Sequence, residues 1–155
     1  MTPFSTWLAT FFGIGRIPLA PGTFASAAAL PLGWLLVLLG WQGVLTGSGL
    51  ATLLGIWACG VHARKEGRHD PSECVLDEVA GQWITLIPIP LMGRASDWRP
   101  YVMAFLLFRL FDILKPWPIS AAERLPGGLG VMMDDVLAGF AGALLLAGTL
   151  AIRLV

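Results

Sequence analysis

The feature of this sequence that most restricts its fold is a long segment without formal charge. Residues 17–63 contain no Asp, Glu, Lys or Arg. A transmembrane helix needs about 20 predominantly apolar residues, so this segment is long enough for two membrane crossings. We predict the first crossing at about 24–41 and the second at about 50–61, with a turn in the polar, Gly-rich stretch 42–49. Together they would form a tight helical hairpin.

The composition also favours a membrane protein. Apolar residues make up 56% of the chain before its 19 glycines are counted, whereas soluble domains reach about 45–50% with glycine included. The 10 basic and 10 acidic residues balance, so no general field exists to attract nucleic acid. The 155 residues show no internal repeat or polar linker, and we therefore expect one domain covering residues 1–155.

Three further apolar stretches follow the hairpin. The first, 79–93, is short and contains two prolines, so it is either a kinked crossing or a helix sheltered by its neighbours. The second, 100–114, contains an Arg and an Asp three positions apart, which share a helix face that must point into the protein. The third, 131–152, is a final helix with two aspartates near its start. We predict an all-α, multi-pass membrane bundle with about four to five membrane-associated helices.

The distribution of basic residues indicates an orientation. With a cytoplasmic N-terminus, five crossings place the polar segments 62–78 and 115–133, and the start of the last helix, on the cytoplasmic face. Six basic residues then lie inside and three outside, which is the bias expected of membrane proteins. The six are Arg16, Arg64, Lys65, Arg68, Lys115 and Arg124, and the three are Arg94, Arg99 and Arg153.

Two pairs of adjacent carboxylates stand where polar segments meet apolar helices: Asp77 with Glu78, and Asp134 with Asp135. Four negative charges near hydrocarbon repel one another unless a cation offsets them. Hard oxygen ligands favour magnesium, calcium or manganese. The alternative is that Asp77 and Asp134 only cap their helices, but a cap needs one carboxylate. The presence of two adjacent carboxylates at each of these two helix starts favours a divalent metal site.

Two cations near these carboxylates, Arg109 and Lys115, are candidate phosphate ligands. A phosphate held by a carboxylate-bound metal still has oxygens that need positive or N–H donors. The alternative is that Arg109 and Lys115 pair internally with Asp112 or extend to the membrane surface. Backbone N–H groups of the Gly-rich stretch 126–130 could also approach an anion. The segment Pro21, Gly22 and Thr23, with Ser26, at the start of the first helix could likewise let backbone N–H groups approach an anion.

Several phosphatase chemistries are not supported by the sequence. No Cys has an Arg six positions later, no Asp-x-Asp pair occurs, and His62 and His69 lie in no familiar lipid-phosphatase motif. Metal-assisted attack of water on phosphorus, with a carboxylate as base, remains. An alternative of another class is a small ion-coupled transporter, since buried carboxylates also serve cation pathways. A phosphatidyltransferase is disfavoured because its combined Asp-Gly and Ala-Arg signature is absent.

Four motifs in this order resemble the phosphatidylglycerophosphatase A family. The first is GIG at 13–15 with APGT at 20–23 and Ser26. The others are LDEVAGQWITL at 76–86, FRLFDILKPWPI at 108–119 and GGLGVMMDDVLAG at 127–139. The resemblance covers nearly the whole chain.

The resemblance implies a bacterial inner-membrane, magnesium-dependent hydrolase of phospholipid biosynthesis. Such an enzyme converts phosphatidylglycerophosphate to phosphatidylglycerol and inorganic phosphate. Its implied metal ligands are Asp77, Glu78, Asp134 and Asp135, which act in catalysis together with Lys115. Its implied substrate-binding residues are Arg109, Asp112, Lys115, Thr23 and Ser26. The sequence indicates neither the number of metal ions, nor the oligomeric state, nor how strictly this lipid is preferred over phosphatidate.

Overall fold

All regular structure in residues 4–154, which the computed structural model describes, is helical. This confirms the all-α prediction. A 3-10 turn at Ile14–Arg16 follows the first helix. The helices in chain order are α1 (Phe4–Ala9), α2 (Pro21–Leu38), α3 (Gly40–Glu66), α4 (Leu76–Thr85), α5 (Pro88–Leu91), α6 (Arg99–Leu114), α7 (Ile119–Ala122) and α8 (Gly128–Ala151).

The hairpin of α2 and α3 turns earlier than the sequence suggested. The chain reverses at Gly40, whose φ of 81° lies in the left-handed region that glycine adopts at little cost. The predicted turn at 42–49 is wrong, because those residues are helical and belong to α3. Their glycines serve packing instead: a Cβ on Gly47 would come within 3.0 Å of Leu36 Cδ2. The small residues therefore let α3 lie close to α2.

Three helices, α2, α3 and α8, are long and apolar enough to cross a membrane. The 10 residues of α4 rise only about 15 Å, half of a bilayer core of about 30 Å. Because most of α4 is buried, the structure favours the interpretation of 79–93 as a helix sheltered by its neighbours. The chain is thus a membrane protein whose short helices pack against long ones.

Two glycines bring α4 and α8 into close contact. A Cβ on Gly139 would lie 2.5 Å from the carbonyl oxygen of Gly81 and 3.0 Å from its Cα. A Cβ on Gly81 would lie 2.6 Å from the carbonyl oxygen of Asp135. The hydroxyl of Thr85 lies 3.0 Å from the Gly81 carbonyl oxygen and 3.2 Å from that of Gly139. The start of α4, with its two acidic residues, is therefore fixed beside Asp135.

Candidate active site

A cavity of about 250 Å³ lies at the end of the bundle where α2, α4 and α8 begin and α6 ends. It is lined mostly by polar and charged residues. The lining consists of Ala20, Pro21, Gly22, Asp70, Ser72, Cys74, Asp77, Glu78, Arg109, Asp112, Lys115, Asp134 and Asp135. The fold therefore brings every charged residue of the motifs at 76–86, 108–119 and 127–139 to one place.

Three of the four predicted metal ligands form a compact group. One carboxylate oxygen from each of Asp77, Glu78 and Asp135 lies within 4.8 Å of the other two. Among residues 4–154, none of the three forms a direct ion pair with a basic side chain, and Glu78 Oε2 is buried without a hydrogen-bond partner. Buried carboxylates are costly unless a positive charge offsets them. An all-oxygen donor set of this kind fits Mg²⁺, Mn²⁺ or Ca²⁺.

The fourth predicted ligand, Asp134, faces a different partner. Its Oδ2 accepts a hydrogen bond of 2.7 Å from Lys115 Nζ, while its Oδ1 is buried without a partner among the described residues. Adjacent residues of a helix project about 100° apart, so Asp134 and Asp135 face different groups. A metal-ligand role for Asp134 stays a prediction.

Lys115 ends α6 and reaches back over the cavity. Its φ of 42° is left-handed, and its N–H donates to the Phe111 carbonyl at 2.8 Å, which closes the helix. Glycine usually occupies such a position, and another residue there costs about 1–2 kcal/mol. Partial burial lowers the pKa of the Lys115 ammonium, but hydrogen bonds to Asp134 and Glu123 outweigh it and raise that pKa. The ammonium group of Lys115 is therefore positively charged at neutral pH.

Arg109, on α6, lines the same cavity as the three carboxylates. It forms an ion pair with Asp112, three positions further on the same helix. This is the internal pairing that was the alternative interpretation of Arg109. Its Nε is buried and has no hydrogen-bond partner among the residues that the structure describes, and a Cβ added to Gly22 would lie 3.3 Å from its Nη1. Phosphate binding by Arg109 stays a prediction.

The structure does not bring Thr23 or Ser26 into the lining of the cavity. The hydroxyl of Ser26 is buried and donates to the Gly22 carbonyl at 2.8 Å, within its own helix. The Gly-rich stretch is also used for packing: a Cβ on Gly128 would lie 3.0 Å from the backbone nitrogen of Gly60. Headgroup binding by Thr23 and Ser26 stays a prediction.

The structure adds three residues that the sequence did not single out. Asp70 lines the cavity, and Glu123 accepts a hydrogen bond of 2.9 Å from Lys115 Nζ. Asp70 precedes a proline, which is typical of an ordinary turn, so no local signal distinguished it. Gln82 lies one turn after Glu78 on α4, fully buried, and neither polar atom of its amide has a partner among the described residues. Gln82 lies within the motif at 76–86, and this position in a motif was the signal in the sequence that could have identified it.

The bundle and its cavity define a membrane protein whose buried acidic group and adjacent cations suit a metal-bound phosphate. Residues 7–150 match the family described as phosphatidylglycerophosphatase A. The chain belongs to the phosphatidylglycerophosphatase A family.

Curated relatives cover most of the chain. Phosphatidylglycerophosphatase A of Escherichia coli (strain K12) is 39% identical over 137 residues, covering 88% of this chain and 77% of the relative. Phosphatidylglycerophosphatase A of Haemophilus influenzae is 44% identical over 133 residues, covering 84% and 79%. A candidate phosphatidylinositol-3-phosphatase of Bacteroides thetaiotaomicron is 42% identical over 147 residues, covering 90% and 89%. No solved structure gives a significant match.

Proposed function

We propose that this protein is a magnesium-dependent lipid phosphatase. It hydrolyses phosphatidylglycerophosphate to phosphatidylglycerol and inorganic phosphate at the cytoplasmic face of a bacterial inner membrane. The observation that carries this proposal is the group formed by Asp77, Glu78 and Asp135, which shares one cavity with Lys115 and Arg109. The names of the Escherichia coli and Haemophilus influenzae relatives support this lipid.

The residues of the cavity divide into two roles in this proposal. Asp77, Glu78 and Asp135 would hold Mg²⁺, which supplies charge neutralisation on the phosphoryl oxygens and a water of lowered pKa. The Oε2 atom of Glu78 has no hydrogen-bond partner within residues 4–154, and this oxygen can accept the proton of the attacking water.

The cations of the cavity bind the phosphoryl group. Lys115 and Arg109 place positive charge against the phosphoryl oxygens, where charge develops in the transition state. Asp134 and Asp112 hold these two cations in position through the ion pairs described above. This arrangement leaves the buried carboxylates for the metal and the cations for the substrate.

The distribution of basic residues along the bundle supports the proposed orientation. The cavity lies where α2 and α8 begin and α3 ends, and the six basic residues assigned to the inner face are at this end of the helices or in the adjoining segments. The opposite end has Arg94, Arg99 and Arg153. This distribution supports a cytoplasmic active site through the positive-inside rule.

The first test is phosphate release by purified protein in detergent. We expect release from phosphatidylglycerophosphate with Mg²⁺ and none with a chelator, because the buried carboxylates need the cation. Phosphatidate and phosphatidylinositol 3-phosphate serve as comparison substrates, the latter because of the Bacteroides relative. Faster phosphate release from either comparison lipid than from phosphatidylglycerophosphate would show that the enzyme prefers that other headgroup. No release from any lipid by folded protein would favour the transporter alternative.

A second test measures metal binding without activity. Because a ligand that binds the folded state stabilises it, Mg²⁺ at 100 times its Kd should stabilise the protein by about 2.7 kcal/mol. We expect the thermal unfolding temperature of the wild type in detergent to rise with Mg²⁺, and that of Asp135→Asn to stay constant. Asp97, which is partly buried and lies outside the carboxylate cavity, provides the matched control Asp97→Asn, which should keep the full Mg²⁺ response. An equal response in Asp135→Asn would place the metal elsewhere.

A further inference from the structure

Gln82 of α4 is a fully buried polar residue that the proposed reaction does not use. It is 0% exposed, and neither Nε2 nor Oε1 of its amide has a hydrogen-bond partner within residues 4–154. Val79 and Leu86, three positions before it and four after it, are apolar and also 0% exposed. Burial of an amide without a hydrogen bond is unfavourable, and an apolar side chain would fill this position without that cost. The amide at this position therefore indicates a role beyond packing.

The side chain one helical turn before Gln82 is that of Glu78, one of the three carboxylates of the active site. Both residues lie within α4, and side chains four positions apart on a helix are neighbours, with about 5–6 Å between their Cβ atoms. The Cα–Cβ bonds of a helix tilt toward its N-terminus, so the Gln82 side chain extends over the turn that carries Glu78. The amide of Gln82 is therefore within reach of the Glu78 carboxylate.

The two carboxylate oxygens of Glu78 differ in their surroundings. Oε1 lies against Gly22 of α2, where an added Cβ would overlap it. Oε2 is buried and has no hydrogen-bond partner among the described residues. An unpaired acceptor and an unpaired amide donor thus lie one helical turn apart, and a hydrogen bond between them would satisfy both atoms. Gln82 does not line the charged cavity, so any effect that it has on the reaction passes through Glu78.

We propose that Gln82 is a positioning residue, which donates an amide hydrogen bond to Oε2 of Glu78 and thereby sets the direction of this carboxylate in the active site. This inference rests on the proposed function. A carboxylate oxygen has two acceptor positions, so Oε2 can accept the amide N–H and still accept the proton of the attacking water. Hydrogen bonds to metal-binding carboxylates orient them, and loss of such a bond lowers metal affinity or activity by about 10–100-fold. Gln82 therefore acts on both proposed roles of Glu78 without touching the substrate.

The test replaces Gln82 with methionine, which has a similar length and volume but no N–H donor. With phosphatidylglycerophosphate and saturating Mg²⁺, kcat should fall about 10–100-fold. KM should change little, because the lost contact orients the base and does not bind the lipid. The Mg²⁺ concentration that gives half of the rise in thermal unfolding temperature should increase by a similar factor. Gln82→Asn keeps the donor but withdraws it by one methylene group, so its kcat should lie between those of the wild type and Gln82→Met.

The matched control is Gln42→Met, which makes the same chemical change at an exposed position. Gln42 lies near the start of α3, at the end of the bundle away from the charged cavity. Its kcat and its Mg²⁺ response should equal those of the wild type.

The possible outcomes separate this inference from the proposed function. A wild type that does not hydrolyse the lipid contradicts the proposed function itself. An active wild type, with Gln82→Met at the same kcat and the same half-maximal Mg²⁺ concentration, overturns the positioning role. A lower unfolding temperature of Gln82→Met in chelator, with both of these values unchanged, also overturns it, because that combination shows a purely structural residue. If Gln82→Met does not fold, wild-type values in Gln82→Asn would overturn the inference in the same way.

Discussion

Replacing Lys115 with methionine is expected to lower the rate of phosphate release by about a thousandfold. Methionine keeps much of the length of the side chain but removes the charge that faces the phosphoryl oxygens in the proposed complex. The rate is measured with phosphatidylglycerophosphate at saturating Mg²⁺. Near-wild-type activity would show that Lys115 only neutralises Asp134 and does not contact the substrate.

The same substitution should also lower stability, and a second variant separates the two effects. Asp134, only 4% exposed, loses its ion-pair partner, which costs about 1–3 kcal/mol since Lys115 itself is partly exposed. In the double variant Lys115→Met with Asp134→Asn, the uncompensated charge is gone. We expect its thermal unfolding temperature to return toward that of the wild type while its activity stays low. Recovery of both would assign Lys115 a purely structural role.

Replacing Gly22 with alanine is expected to reduce activity by about a hundredfold, which is the effect of misplacing a catalytic group by about 1 Å. The new Cβ would overlap Oε1 of Glu78 and lie 3.3 Å from Nη1 of Arg109. Because the end of the Glu78 side chain is flexible, it moves aside at little cost in stability, and the three-carboxylate group loses its geometry. Phosphate release and the Mg²⁺-dependent rise in unfolding temperature should both decrease.

Gly49 provides the control for this substitution. It lies within α3, and a Cβ at this position would meet nothing within 4 Å. Alanine there should preserve activity and stabilise the protein by about 0.5–1 kcal/mol, as expected when glycine is replaced in a helix. If Gly22→Ala behaves like Gly49→Ala, the position of Glu78 is not critical for the reaction.

The sequence predicted the helical class and the gathering of charges because both follow from local patterns. Uncharged stretches identify the helices, and carboxylates at their polar ends converge when the helices are antiparallel. The turn at 42–49 was misplaced because its glycines and polar residues, which are typical of turns, also permit close packing between helices. That packing depends on Leu36 of the neighbouring helix, which a local pattern does not show.

The sequence also did not predict that Asp134 and Asp135 face different groups. Which aspartate faces Asp77 and Glu78 depends on the rotation of α8, and α8 begins at Gly128 instead of the predicted residue 131. The partnership of Lys115 with Glu123 depends on the path of the intervening segment, including α7. Asp70 reaches the cavity only through the folded path before α4. Contacts between individual residues of different segments can be identified only from the tertiary structure. The clustering of the motifs at one end of the bundle can be predicted from the sequence.

The glycine contact between α4 and α8 has a consequence for how the site can move during turnover. Gly81 and Gly139 leave no side-chain layer between these helices, so neither helix can rock or slide without separating backbone from backbone. The distance between Glu78 and Asp135 is thereby held through substrate entry and product departure. The wall of the site that α4 and α8 form is therefore held rigid by direct contact between the two backbones.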